Sequence, residues 1–169
     1  MNRLSYASFL AFLLVLMSSA CTEKGSIFDE VQLSALPDRG RNMLDHINAI
    51  RSEGCRCGAD QAPAVPALRW NDQLAEAARR HADDMAVNRL YSHTGSDGST
   101  VGMRAKDAGY SWSLVGENIA HGLTAPREVL QAWLDSPSHC KTLMAAEFTE
   151  MGLATQEGYW VQTLGLPGK

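Results

Sequence analysis

No run of basic residues occurs anywhere in this chain. Fifteen Lys and Arg stand against nineteen Asp and Glu, a formal net charge of −4. A nucleic-acid partner requires a clustered Lys/Arg face to neutralise phosphates, so that class is excluded. The four Trp and four Tyr are scattered rather than interleaved with basic residues. Long apolar runs are also missing. The longest, Phe9 to Met17, has nine residues, about 14 Å of helix against a bilayer core of about 30 Å. No H-E-x-x-H occurs, which excludes the standard metalloprotease helix, and no strained elbow motif surrounds Ser92 or Ser138. No internal repeat is present. Cysteine is scarce, at four residues.

The first twenty residues predict a compartment. Arg3 supplies a positive start, the apolar run follows, and Ser18-Ser19-Ala20 offers small side chains for cleavage, so residues 1–20 read as a signal peptide. Cys21 stands where a bacterial lipoprotein carries its acylated cysteine, although Ser18 occupies a position usually filled by Leu, Val or Ile. The expectation is export, with the chain tethered to a membrane surface through a lipid on Cys21. Plain cleavage after Ala20, leaving a secreted or periplasmic protein, is the alternative. Residues 21–40 mix charge, Ser, Gly and Pro and read as an N-terminal tether. The 169 − 20 = 149 residues after cleavage suffice for one domain, placed at 41–167.

Within that domain, Met43, Leu44, Ile47 and Ile50 share a helical face, and Gly54 stops the helix. Residues 55–66, with Gly58, Pro63 and Pro66, read as a loop. Residues 70–90 form the strongest helical pattern, with Asn71 as its cap. A short helix is predicted over 100–108, closed by Gly109, and another from a Thr124 cap to Asp135, ended by Pro137. Residues 150–156 and 159–165 alternate like strands, and Glu157-Gly158 turns one into the other. Helices first and a hairpin last predict an α+β fold. Apart from Cys21 there are three cysteines, Cys55, Cys57 and Cys140. An exported compartment permits one disulfide with one thiol left over. A C-x-C pair alone is a weak zinc motif.

Eight short motifs follow one another in order: Asn48-Ala49-Ile50-Arg51, Leu68-Arg69-Trp70-Asn71, the stretch from Ala77 to Met85, Tyr91-Ser92-His93-Thr94-Gly95, Ala108-Gly109-Tyr110, Gly116-Glu117-Asn118-Ile119-Ala120, Trp133 to His139, and Tyr159-Trp160-Val161-Gln162. The series resembles the CAP superfamily of cysteine-rich secretory proteins, antigen 5 and pathogenesis-related proteins, in its bacterial exported SCP-domain branch. The resemblance covers about residues 41 to 167. It implies an α–β–α sandwich and a cleft lined by two His and two acidic residues that often binds a divalent metal. By motif, the cleft residues are His93, Glu117 of G-E-N, His139 of S-P-S-H, and Glu150. The implied metal ligands are His93, His139 and Glu117, for zinc or another divalent ion. Animal and plant members carry a histidine in G-H-Y-T-Q, where the comparable Gly158-Tyr159-Trp160-Val161-Gln162 has none. The resemblance also implies a Cys57–Cys140 disulfide, leaving Cys55 over or exchanging with Cys57.

Three function classes stay open. One is a cleft that binds a divalent metal and a small or lipid-like ligand without turnover, as some relatives bind sterols or fatty acids. The second is a metal-dependent hydrolase or peptidase, and the third is a surface interaction module with a vestigial cleft. The expectation at Cys21 is tested by feeding expressing cells a clickable palmitate analogue. The wild-type chain should take up the label and Cys21→Ser should not; an unlabelled wild type would mean simple cleavage after Ala20.

Overall fold

The computed structural model describes residues 36–169. The signal peptide, Cys21 and most of the expected tether lie outside the described residues. Helix α1 (Leu36–Glu53) opens the fold, followed by β1 (Cys55–Cys57), β2 (Asp60–Ala62), β3 (Arg69–Trp70), α2 (Asp72–Asn88), α3 (Val101–Asp107), β4 (Trp112–His121), α4 (Pro126–Asp135), α5 (Pro137–Leu143), β5 (Glu150–Gln156) and β6 (Tyr159–Pro167). β1 and β2 pair as a separate antiparallel hairpin, while the main sheet has the order β3-β5-β6-β4. β3 runs parallel to β5, and the other pairs are antiparallel.

The pleat sorts the sheet into two faces. Ile119, Tyr159 and Val161 pack under Ala78, Ala82 and Met85 of α2. Met151, Leu153, Trp160 and Leu164 face the other way, against Met43 and Ile47 of α1, Val129, Leu130 and Trp133 of α4, and Leu143 of α5. Helices therefore cover both faces, an α–β–α sandwich. α2 lies very close to the sheet at Gly152, where an added Cβ would sit 2.0 Å from the Ala75 backbone nitrogen. Only a glycine admits the helix at that depth.

Asn71 caps α2 as its sequence position implies, its side-chain oxygen accepting from the Gln73 and Leu74 amides at 2.9 and 3.1 Å. The β5–β6 turn is also the expected one, with Glu157 and Gly158 both at positive φ (47° and 80°), as a two-residue hairpin turn demands. Elsewhere the structure departs from expectation. α1 starts at Leu36, so the last residues read as tether are helical. The loop expected over 55–66 contains the β1–β2 hairpin, a short pairing that alternation over three residues does not reveal. The cap of α4 is Ala125 rather than Thr124; Ala125 has no side-chain acceptor, and Glu128 Oε2 accepts from its amide at 3.4 Å. Pro137 ends α4 and at once starts α5, since a proline fits the first helical turn as well as it stops the preceding helix.

Cys57 and Cys140 form a disulfide with their Cα atoms 5.4 Å apart, closing a loop of 83 residues. On the loop-entropy account such a closure contributes about 4.5 kcal/mol. A buried arginine ties the same region together from the other side. Arg51 donates to the Pro66, Leu143, Ala145 and Phe148 carbonyls at 2.9, 2.7, 3.0 and 3.2 Å. Arg51→Met would fill the volume but orphan four carbonyls. It should lower the unfolding free energy by on the order of 4 kcal/mol in urea titration, whereas the exposed Arg56→Met should change it by less than about 1 kcal/mol.

Candidate functional site

β4 is an edge strand, hydrogen-bonded to β6 alone. Its neighbouring residues Glu117 and Asn118 point to opposite faces, because successive side chains alternate across a sheet. Each reaches into a different layer, and together they bring His93 and His139 to one edge.

Glu117 faces the α2 layer, opposite Thr163. His93, in the irregular chain between α2 and α3, places Nδ1 2.9 Å from Glu117 Oε1. The carboxylate oxygen accepts, so Nδ1 carries the proton, the tautomer in which Nε2 holds the lone pair. Exposure divides the pair sharply, with the His93 side chain 57% exposed and that of Glu117 3%. Glu117 Oε2 accepts from Arg104 Nη2 at 2.8 Å. The buried Arg104 also donates to the His93 carbonyl at 3.1 Å and the Ser99 carbonyl at 2.8 Å. One guanidinium thus neutralises the carboxylate and fixes the backbone of the histidine above it.

Sequence reasoning missed Arg104. The only signal was a cation on the inner face of a short helix, beside the buried Ala105. Its partner lies 13 residues away on β4, beyond any local pattern.

His139 sits in the first turn of α5, on the opposite layer. Asn118 Nδ2 donates to the His139 carbonyl at 3.3 Å and to Gln162 Oε1 at 2.9 Å. Burial pulls the His139 pKa below its ordinary value, and the nearby His93 lowers it further. The two imidazoles therefore sense each other across the edge of β4.

Glu150 belongs to a different network. Its carboxylate accepts from Arg69 at 3.0 Å, Asn71 at 3.2 Å and Tyr110 Oη at 2.9 Å. Glu150 pairs with Gly165 and Glu117 with Thr163 across the shared neighbour β6. Two strand spacings and a two-residue offset separate their Cα atoms by roughly 12 Å. His93, Glu117 and the His139 segment come together at the edge of β4; Glu150 braces β3, the start of α2 and Tyr110.

His81 lies beneath the site, with no exposed surface. Its Nε2 donates to the Ser92 carbonyl at 2.8 Å and stands 3.8 Å from Glu117 Oε1, while Nδ1 has no partner. Desolvation is the main cause of its lowered pKa; Arg104 lowers it too, and Glu117 opposes both. His121, by contrast, is exposed and stacks on Tyr159 at 3.9 Å.

A third group of donors is the sulfur cluster. The Cys55, Cys57 and Cys140 ligand atoms lie within 4.8 Å of one another, a potential metal-ligating set. Cys57 and Cys140 are bonded, however, and a disulfide sulfur is not a thiolate ligand, so only Cys55 retains a thiol.

Comparison with known proteins agrees with this architecture. The family model described as "CAP: Cysteine-rich secretory protein family" matches residues 44–163. An extracellular protein containing an SCP domain from Bacillus anthracis superposes with a TM-score of 0.69 at 27% identity, over 80% of this chain and 45% of that one. An outer surface protein of Borrelia burgdorferi superposes at 0.68 over 80% of this chain and 97% of its own, and its 23% identity supports the fold alone. YlbC, an uncharacterised membrane protein of Bacillus subtilis, is 28% identical over 122 residues, 72% of this chain and 33% of the relative. The chain spans well under half the length of that relative and 42% of another, the uncharacterised YkwD of the same organism.

The buried His81 gives a pH dependence with a definite sign. The unfolded chain binds a proton near pH 6.5 that the folded site resists. This contribution to stability is complete above that pH and is lost as pH falls below it. In metal-free buffer, the His81 ring resonance should titrate below 6.5, and urea midpoints should drop as pH falls below that value. His81→Gln, which keeps a donor for the Ser92 carbonyl, should remove part of that drop.

Proposed function

The chain belongs to the CAP family of cysteine-rich secretory proteins, and we propose that it is an exported binding protein. In this reading the cleft at His93, Glu117 and His139 takes zinc or another divalent metal together with a small or lipid-like ligand, without turnover. The observation that carries it is the 2.9 Å contact between Glu117 and His93 Nδ1, which directs the Nε2 lone pair of an exposed ring outward. A carboxylate behind a histidine is the arrangement that orients imidazole ligands toward metals.

The donor chemistry also assigns the roles. Both oxygens of Glu117 are engaged, one by His93 and one by the Arg104 guanidinium. A cation at that distance opposes direct coordination of a second one. Glu117 therefore acts as the orienting partner, and the two imidazoles are the ligands, with water or a bound molecule completing the coordination. The Arg104 ion pair and the near-complete burial of Glu117 also make it a poor general base for a bound water, which favours binding over the hydrolase reading. Export fits the name of one relative, the extracellular protein of Bacillus anthracis. Among the described residues no helix is long and apolar enough to cross a membrane; a lipid on Cys21 would supply the attachment and place the cleft beside a bilayer.

Calorimetric titration of the full chain with zinc tests this. The wild type should bind about one equivalent, Glu117→Gln should weaken binding by about 10- to 100-fold, and the His93→Ala/His139→Ala double variant should abolish it. A folded wild type that takes up no zinc would remove the metal from the reading. The ligand half is then judged separately, by displacement of a fluorescent fatty acid.

A further inference from the structure

Three sulfur atoms meet beneath the start of α5, and the disulfide uses only two of them. The Cys55 thiol lies 3.7 Å from Cys140 Sγ, in van der Waals contact with a bonded sulfur. Since a bonded sulfur carries no proton, Cys55 is the donor in that contact. All three cysteines are buried. β1 alternates, so Cys55 and Cys57 turn inward together and Arg56 outward, and both present sulfur to the same partner. The β1–β2 hairpin stands apart from the four-stranded sheet. Within it, β1 is flanked by Gly54 and Gly58, both at positive φ (75° and 67°), where glycine is the unstrained residue. A slide of this hairpin past α5 breaks no hydrogen bond of the main sheet.

We propose that Cys55, Cys57 and Cys140 form an internal thiol–disulfide exchange site in which Cys140 alternates between two partners. The Cys55 thiolate attacks Cys140 Sγ, a Cys55–Cys140 bond forms, and the Cys57–Cys140 bond breaks. Cys57 leaves as a thiolate and takes up the proton that Cys55 released. The step is neutral in electrons, and no oxidant or reductant is consumed. Its consequence is mechanical. Cys140 directly follows His139, so the exchange re-anchors the histidine-bearing helix from Cys57 to Cys55, two residues along β1, and closes the present 3.7 Å sulfur gap.

The sequence makes the two bonded forms separable. Trypsin cuts after Arg56, placing Cys55 in peptide 52–56, Cys57 in 57–69 and Cys140 in 128–141, with Cys21 in a fourth peptide scored separately. The wild-type full chain is incubated natively at pH 8 without added thiol or disulfide, and the variants in a glutathione redox buffer; thiols are then blocked, and the digest is mapped by mass spectrometry. The wild type should yield both cross-links, 57–69 with 128–141 and 52–56 with 128–141, the second growing at a rate independent of protein concentration. Cys57→Ser should give the second cross-link alone, and Cys55→Ser the first alone. Absence of the 52–56 cross-link from the incubated wild type overturns the proposal. So does a folded Cys57→Ser chain in which Cys55 and Cys140 both stay open to alkylation. If Cys57→Ser does not fold, the wild-type map decides by itself.

Discussion

A guanidinium buried without a carboxylate holds this fold together. Arg51 has no exposed surface, and among the described residues no ion pair includes it. Burial lowers its pKa, yet an arginine stays charged at neutral pH. Its charge is met by four carbonyl oxygens, from Pro66, Leu143, Ala145 and Phe148. Two of these carbonyls come from the end of α5 and the residues just past it, where a helix leaves acceptors unpaired and carries its negative pole. One turn earlier, Asn48 exchanges hydrogen bonds with the Leu68 backbone in both directions, at 2.9 and 2.8 Å. The last turns of α1 therefore locate the segment leading into β3, the end of α5 and the approach to β5. None of these three would find its place from its own local structure.

The cleft rests on a second balance of charge, with a different purpose. Glu117 is nearly as buried as Arg51, but it is paired, with Arg104 behind it and His93 in front. Removing one partner of a buried ion pair costs more than the pair itself contributes, because the remaining charge is left uncompensated. The triad is consequently stiff, and the one soft direction is outward, through the exposed ring of His93. Rigid support behind a single exposed donor is what preorganised recognition requires.

Legibility in the sequence followed the range of each interaction. α2 was readable because Leu74, Ala77, Ala78, His81 and Met85 repeat at helical spacing, and Asn71 caps the helix locally. The β5–β6 hairpin was readable because Glu157-Gly158 takes a turn conformation set by two adjacent residues. β4 was not. Its residues Gly116, Glu117 and Asn118 carry no apolar alternation, since an edge strand that builds a site spends its side chains on polar contacts. α5 was hidden behind Pro137, which reads as the stop of α4 although it also opens the next helix. The site was legible only as a likeness between motifs. The 24 residues between His93 and Glu117, and the 13 between Arg104 and Glu117, are spanned by folding alone.

That short helix shows how the pieces depend on one another. Seven residues cannot sustain a helix in water, since isolated helices below about 12–15 residues are marginal. α5 exists where it does because it is pinned at three points. The Cys57–Cys140 bond holds its first turn, Asn118 holds the His139 carbonyl between the same turn and β4, and Arg51 collects the carbonyls at its end. Two of these ties are hydrogen bonds and one is covalent, and the covalent one lies next to the histidine that the cleft uses. The position of His139 is therefore not a property of α5. It is set by a strand edge, a buried arginine and a sulfur with two neighbours within reach, so the geometry of the cleft and the state of the cysteines form a single problem.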